Sequence, residues 1–222
     1  MKKYSIEYAL EKAKNIEGWL TPNEMKLLYD FVTKSNTNGA LVEIGSWAGK
    51  SMTIIVTACK EVGNNSEIFS IDPYLTSKDE DNHTYQKFVT NMKELGYWNN
   101  INQIKEKSQE CGLKWNKPIS FIFIDGFHSY DAVKSDFELY FKHILNGGYC
   151  ILHDVTTWYG PTKLSAEILE NRRDIEYIDL ANSALALKKV EFLTEDVKVK
   201  NQQIVSSLKE MLNTKNLKNK RI

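Results

Sequence analysis

The stretch that decides the fold is Ala40-Leu41-Val42-Glu43-Ile44-Gly45-Ser46-Trp47-Ala48-Gly49-Lys50-Ser51. Ala40 to Ile44 reads as a short strand. Gly45 to Gly49 reads as a turn whose two glycines let the backbone fold tightly and approach a ligand. Ser51 to Val62 reads as an apolar helix that stops at Gly63. Glu67 to Asp72 follows as a second strand, ended by Pro73. A strand, a helix and a second strand in this order predict two parallel strands joined by a right-handed crossover.

The alternation continues outward. His83 to Leu95 is predicted as a helix, Ile101 to Lys105 as a strand, and Ser108-Gln109 as a polar loop after it. Ile119 to Ile124 is almost wholly apolar, as in a central strand covered on both faces. Tyr130 to Leu145 is predicted as a helix broken by Gly147-Gly148, and Tyr149 to Leu152 as the next strand. Ile175 to Asp179 and Ala184 to Lys188 form a hairpin pattern with Asn182-Ser183 at its turn. Upstream, Thr21-Pro22-Asn23-Glu24 is a capping-box helix start, and a weaker helical pattern covers Ser5 to Lys14. The expectation is an α/β fold. It has a doubly wound, mostly parallel, Rossmann-like sheet, a terminal antiparallel hairpin and N-terminal helices. Residues 1–190, with leading helices in 1–38, form the main domain. Residues 191–222 are a polar helical tail in which Ile204, Leu208, Met211 and Leu212 make a narrow apolar stripe. The tail reads as an outer helix with a basic end, or as a helix for a homodimer or another partner.

Composition bounds the function classes. The 222 residues carry 29 basic and 29 acidic side chains, which gives no broad basic field for nucleic acid. No run approaches the ~18 apolar residues of a membrane span, and the first residues lack the apolar core of a secretory signal. Cys59, Cys111 and Cys150 are odd in number and widely spaced. That fits a reducing, cytoplasmic setting better than a disulfide scaffold or a zinc site.

Open α/β sheets bind ligands beyond the carboxyl ends of their strands. Those ends carry Glu43 before the turn, Asp72, Ser108-Gln109, Asp125 and His153-Asp154. Ser51, at a helix start, can donate its hydroxyl to a carboxylate, and Asp72 stands where dinucleotide folds place an acid for a ribose. The glycine spacing departs from Gly-x-Gly-x-x-Gly, because position 43 is Glu, and from the phosphate loop, because position 44 is Ile.

Val42 to Ser51 resembles motif I of class I S-adenosylmethionine-dependent methyltransferases, with a spacing similar to the small metal-dependent O-methyltransferases of the catechol type. Phe123-Ile124-Asp125-Gly126-Phe127-His128-Ser129-Tyr130, followed by Asp136, Gly147-Gly148 and His153-Asp154, resembles the bacterial branch grouped with macrocin-type sugar O-methyltransferases and cephalosporin-hydroxylase-like proteins. The resemblance spans roughly residues 18 to 190. It implies S-adenosylmethionine as cofactor, lined by Gly45, Ser46 and Gly49, with Glu43 beneath it, Ser51 near its methionine carboxylate, Asp72 on the ribose, and Ser108 and Gln109 beside the adenine. Asp125 would touch cofactor or substrate.

A neutral hydroxyl is a poor nucleophile, so methyl transfer to oxygen uses a base, a metal or both. Asp125, His153 and Asp154 are the candidate ligands of Mg²⁺ or Mn²⁺. Without a metal, the same residues would cap the loop and orient the acceptor. His128 stands where the catechol-type enzymes carry a lysine base, and a neutral imidazole accepts a proton near pH 7. His83 and His143 read as ordinary surface or helix residues, and Asp136, inside a helix, as structural. Trp19, Trp47, Trp158 and Tyr159 would wall a substrate pocket or pack a lid, with Trp158 to Pro161 as a substrate-facing loop. The expected activity is methyl transfer to a hydroxyl of a small molecule or glycan. The alternatives are an NAD(P)- or nucleotide-sugar-dependent oxidoreductase and a non-catalytic cofactor-binding or assembly protein.

Overall fold

The structure, a computed structural model, describes residues 4–75, 83–214 and 216–218. Its elements in chain order are α1 (Ile6–Ala13), α2 (Pro22–Lys34), β1 (Ala40–Ile44), α3 (Lys50–Val62), β2 (Ile68–Ile71), α4 (His83–Glu94), β3 (Ile101–Ile104), α5 (Ser108–Lys114), β4 (Ile119–Ile124), α6 (Tyr130–Phe141), β5 (Ile144–Leu152), α7 (Tyr159–Asn171), β6 (Ile175–Ala181), β7 (Ala184–Lys189) and α8 (Glu195–Thr214). The seven strands form one sheet in the order β3-β2-β1-β4-β5-β7-β6. The first five are parallel, and β7 pairs antiparallel with both β5 and β6. The strand order reverses between β1 and β4, which is where such sheets open a crevice.

Burial explains why β1 and β4 sit at the centre, since every residue of both is buried. Leu41, Phe121, Phe123 and Ile151 face a core layer shared with α1, α2 and α3. Val42, Ile44, Ile122, Ile124 and Leu152 face the opposite layer, shared with α6, α7 and α8. Ile119 lies in the same layer as Ile122 despite its odd offset, because the β4 register shifts between Ile119 and Phe121.

The Thr21 capping box forms as the sequence predicts, with Pro22 in the first turn. The Tyr130 helix does not reach Leu145. It ends at Phe141, and Ile144 already belongs to β5, so Gly147-Gly148 lies inside a strand rather than breaking a helix. Gly147 has φ +83° there, and Ile119 pairs with Ile144 before the register shift. Ser108-Gln109 opens helix α5 rather than a loop, and Tyr159 to Pro161 is already the first turn of α7.

Helix α8 packs on α7 and β6, burying Val205 and Leu208. Its Asn201 amide accepts from Tyr177 N and donates to Ile175 O, which satisfies part of the free edge of β6. No helix among the described residues is long and apolar enough to cross a membrane.

Candidate active site

The loops after β1, β2, β4 and β5 meet at the carboxyl end of the sheet. Gly45 has φ +84°, and a Cβ on it would stand 2.1 Å from the Asp125 carbonyl oxygen, so only glycine lets the tips of β1 and β4 touch here. Three non-glycine residues in the loops after β1, β2 and β5 also adopt left-handed backbone: Trp47 (φ 45°), Tyr74 (φ 53°) and Asp154 (φ 60°). Such conformations cost energy and persist where the surroundings fix them, most often at functional sites.

The first half of the site is the turn between β1 and α3. Asp72 does not stand free. Its Oδ2 accepts from Ser46 N at 2.9 Å and Trp47 N at 3.0 Å, and its Oδ1 accepts from Tyr74 N at 2.7 Å. Burial nevertheless raises its pKa against these bonds. The Ser46 hydroxyl shares a hydrogen bond with Ser70 at 2.7 Å. Glu43 is fully buried, and neither carboxylate oxygen has a hydrogen-bond partner among the described residues. Burial pushes its pKa up to about 8, against the favourable nearby hydroxyls of Ser46 and Ser51. An orphaned carboxyl under a glycine-hinged turn fits a ligand that brings hydrogen-bond donors. Ser108 and Gln109 instead donate to Asp136 Oδ1, at 2.6 and 2.8 Å. Asp136 is thus a buried tie between α5 and α6, and burial raises its pKa to about 6.

The second half lies after β4 and β5. Asp125, His128 and Asp154 each offer a ligand-type atom, all within 4.8 Å of one another. His128 Nε2 is 2.9 Å from Asp154 Oδ2 and 3.5 Å from Asp125 Oδ1. Its ring stacks on Trp158, with centroids 4.6 Å apart and planes at 16°. Burial disfavours a charge on this imidazole, but the two carboxylates outweigh it and lift its pKa to about 9. Gly160 closes the arrangement, since a Cβ there would meet the His128 carbonyl oxygen at 2.3 Å.

His153 lies deeper, 4% exposed, beside that trio. Its Nδ1 is 3.0 Å from Asp125 Oδ1 and 3.8 Å from Asp154 Oδ2, and its Nε2 is 3.4 Å from Glu24 Oε1. Burial opposes its protonation, yet Asp125, Glu24 and Asp154 raise its pKa to about 10. The structure thus brings Asp125, His153 and Asp154 together as the sequence grouped them, and adds His128 to the same two carboxylates. Trp19 is 73% exposed and packs on Trp47 at 5.2 Å, beside the glycine turn. The residue that sequence reasoning missed is Glu24. Its capping-box spacing signals only a helix start.

Comparison with known proteins bears on the family and the fold. A family model described as "Methyltransferase domain" matches residues 42–155, just over half the chain. Uncharacterized protein R132 of Acanthamoeba polyphaga mimivirus is 30% identical over 118 residues, which cover 51% of this chain and 50% of that protein. The chain therefore spans about half the length of that curated relative. Among solved structures, the O-methyltransferase TomG of Streptomyces achromogenes, in complex with SAM, matches with a TM-score of 0.61 and 14% identity over 83% of this chain and 88% of its own. The SAH-bound methyltransferase PaMTH1 of Podospora anserina matches with a TM-score of 0.63 and 12% identity, over 84% and 88% of the two chains. An O-methyltransferase from Bacillus cereus, in complex with SAH, matches with a TM-score of 0.60 and 14% identity, over 84% and 90%. At these identities the likeness speaks for the fold. With a sheet that turns back between β1 and β4, and a family match running from β1 to just past β5, the chain belongs to the methyltransferase-domain family.

Proposed function

We propose that this protein transfers a methyl group from S-adenosylmethionine to a hydroxyl of a small molecule or glycan, with divalent-metal assistance. The observation that carries the reading is the convergence of Asp125, His128 and Asp154 beside the glycine turn of β1. In this reading Gly45, Ser46 and Gly49 line the cofactor, and the unpartnered carboxyl of Glu43 receives donors from it or from water held with it. Ser51 supports that end of the site. Asp72 braces the turn through Ser46 and Trp47 and keeps acceptor capacity for a ribose hydroxyl. Ser108 and Gln109 act through Asp136 to hold α5 against α6, next to where an adenine would lie. S-adenosylmethionine supplies the electrophilic methyl group, and the protein supplies alignment and a nucleophile.

Asp125 and Asp154 would offer hard oxygens to Mn²⁺ or Mg²⁺, with His153 Nδ1 at 3.0 and 3.8 Å from those carboxylates. A divalent ion held there would lower the pKa of a bound hydroxyl. Without such a charge, Asp125 and Asp154 keep His128 protonated at neutral pH, and a protonated imidazole cannot take a proton. An ion carried by the Asp125 and Asp154 carboxylates, with His128 uncoordinated, would balance their charge and leave His128 neutral to act as the base, held in orientation by its stack on Trp158.

The test is methyl transfer from labelled S-adenosylmethionine to a panel of phenol, polyol and glycan acceptors, with and without EDTA. Asp125→Asn should lower the rate at least a hundredfold, and EDTA should stop transfer until Mn²⁺ or Mg²⁺ is restored. Turnover unchanged by EDTA would remove the metal from the reading. Mn²⁺ affinity measured by calorimetry should also rise with pH, because binding must expel the His128 proton. With that proton leaving near pH 9, the affinity should rise about tenfold per unit between pH 6 and 8. A flat profile would mean that His128 carries no proton to lose.

A further inference from the structure

A capping-box glutamate normally works at an exposed helix start, where one of its oxygens reaches back to the N-cap amide. Glu24 does this with Oε2, which accepts from Thr21 N at 2.7 Å and Thr21 Oγ1 at 2.9 Å. Yet Glu24 is only 1% exposed. Its other oxygen points inward. Oε1 accepts from Ser183 N at 3.0 Å and from Ser183 Oγ at 2.6 Å, and lies 3.4 Å from His153 Nε2. A helix cap needs none of these three contacts.

Their consequence is a continuous path into the site. His153 is 4% exposed and passes the contact on through Nδ1, 3.0 Å from Asp125 Oδ1. Asp125 in turn faces His128 at 3.5 Å. The path joins three parts of the chain: the start of α2, the β6–β7 turn at Ser183, and the loops after β4 and β5. Ser183 N and Ser183 Oγ fix Oε1 laterally, so the carboxylate cannot swing away from His153 without losing two hydrogen bonds.

We propose that Glu24 is a positioning residue of the methyl-transfer site: acting through His153, it holds the Asp125 carboxylate in the rotamer that serves the Asp125–His128–Asp154 trio. This rests on the function proposed above. The logic is that of outer-shell partners generally, which orient a ligating or reacting side chain without touching the substrate.

The test must separate capping from positioning, and Thr21→Val does so. It removes the hydroxyl of the capping box and leaves the Glu24–Ser183–His153 contacts in place. Glu24→Gln keeps the volume and removes the charge, and Glu24→Ala removes both. Each variant is compared with the wild type in thermal stability, in kcat and KM for S-adenosylmethionine, in Mn²⁺ affinity, and in the ring ¹⁵N signals of His153. Thr21→Val should melt lower with wild-type kcat, Mn²⁺ affinity and His153 signals. Glu24→Gln should lose about tenfold or more in kcat and in Mn²⁺ affinity, with KM for S-adenosylmethionine unchanged and the His153 signals shifted. Glu24→Ala should behave likewise if it folds, and Glu24→Gln decides the question if it does not. Glu24→Gln with wild-type kcat, or with the same small loss as Thr21→Val, would overturn the proposal. A wild type that binds no S-adenosylmethionine would instead remove the functional reading. The His153 signals and Mn²⁺ affinity would then decide separately whether Glu24 acts on this cluster, and unchanged values would overturn it on their own.

Discussion

At the scale of single residues, Glu43 is the one whose chemistry is most exposed to test. Its carboxyl sits fully buried in β1 with no hydrogen-bond partner for either oxygen among the described residues. Burial lifts its pKa to about 8, so the folded protein binds a proton there that the unfolded chain releases near pH 4.5. Between those two values the native state holds more protons, and stability must therefore fall as pH rises. Glu43→Gln removes that cost. In the ligand-free protein it should leave the melting temperature almost unchanged at pH 4 and raise it at pH 8, by on the order of 4 kcal/mol of stability. For a chain of this length that corresponds to roughly 8–16 °C. An equal melting temperature at pH 8 would show that the carboxyl is not held protonated. Asp72, at the end of the neighbouring strand, shows the opposite solution to the same problem: three backbone N–H groups meet its carboxylate.

At the scale of elements, the unit that governs His128 is the short connection from β5 into α7. Trp158, stacked on His128, ends this connection, and the C-terminal segment straps it in place. Lys218 N donates to Thr157 O and Tyr159 N donates to Lys218 O, both at 3.0 Å, while the Lys218 ammonium lies 5.3 Å from the Trp158 ring centre. Leu217 anchors the strap with 4% exposure. Leu217→Asp would bury a charge and should release the strap while the rest of the fold stands. The amide of Tyr159 should then exchange with solvent at least tenfold faster by hydrogen-exchange NMR, and the ring signals of His128 should move. Unchanged exchange at Tyr159 would show that the strap bears no load. None of this was legible in the sequence, where residues 215–222 read only as a basic end. Local signals did fix the Thr21 cap, the Gly45–Gly49 turn and the β1 and β4 strands, because each depends on neighbours within a few residues. They failed where a distant strand made the choice. Leu139 to Leu145 is apolar enough to continue a helix, but Ile144 is taken by pairing with Ile119. Glu24 read as a cap because its spacing to Thr21 is local, whereas Ser183 and His153 are brought to it only by the finished fold.

At the scale of the whole molecule, the sheet divides the apolar interior into two layers, and the site lies at the rim where both layers end. In the proposed reading, loops from β1 and β2 supply the cofactor half, while those from β4 and β5 supply the acid–imidazole half. Both halves rest on buried strands, so a ligand that spans the two should stabilise the entire chain and not one loop. The expected size follows from mass action. S-adenosylmethionine at 100 times its dissociation constant adds about 2.7 kcal/mol to the folded state. In a protein of 222 residues each kcal/mol is worth about 2–4 °C, so the melting temperature should rise by roughly 5–11 °C. S-adenosylhomocysteine should act similarly, since it keeps the adenosine and methionine parts. NAD should give no shift, because position 43 is Glu where the dinucleotide turn has its first glycine. A shift with NAD and none with S-adenosylmethionine would assign the turn to a dinucleotide and would leave Asp125, His128 and Asp154 to serve a different reaction.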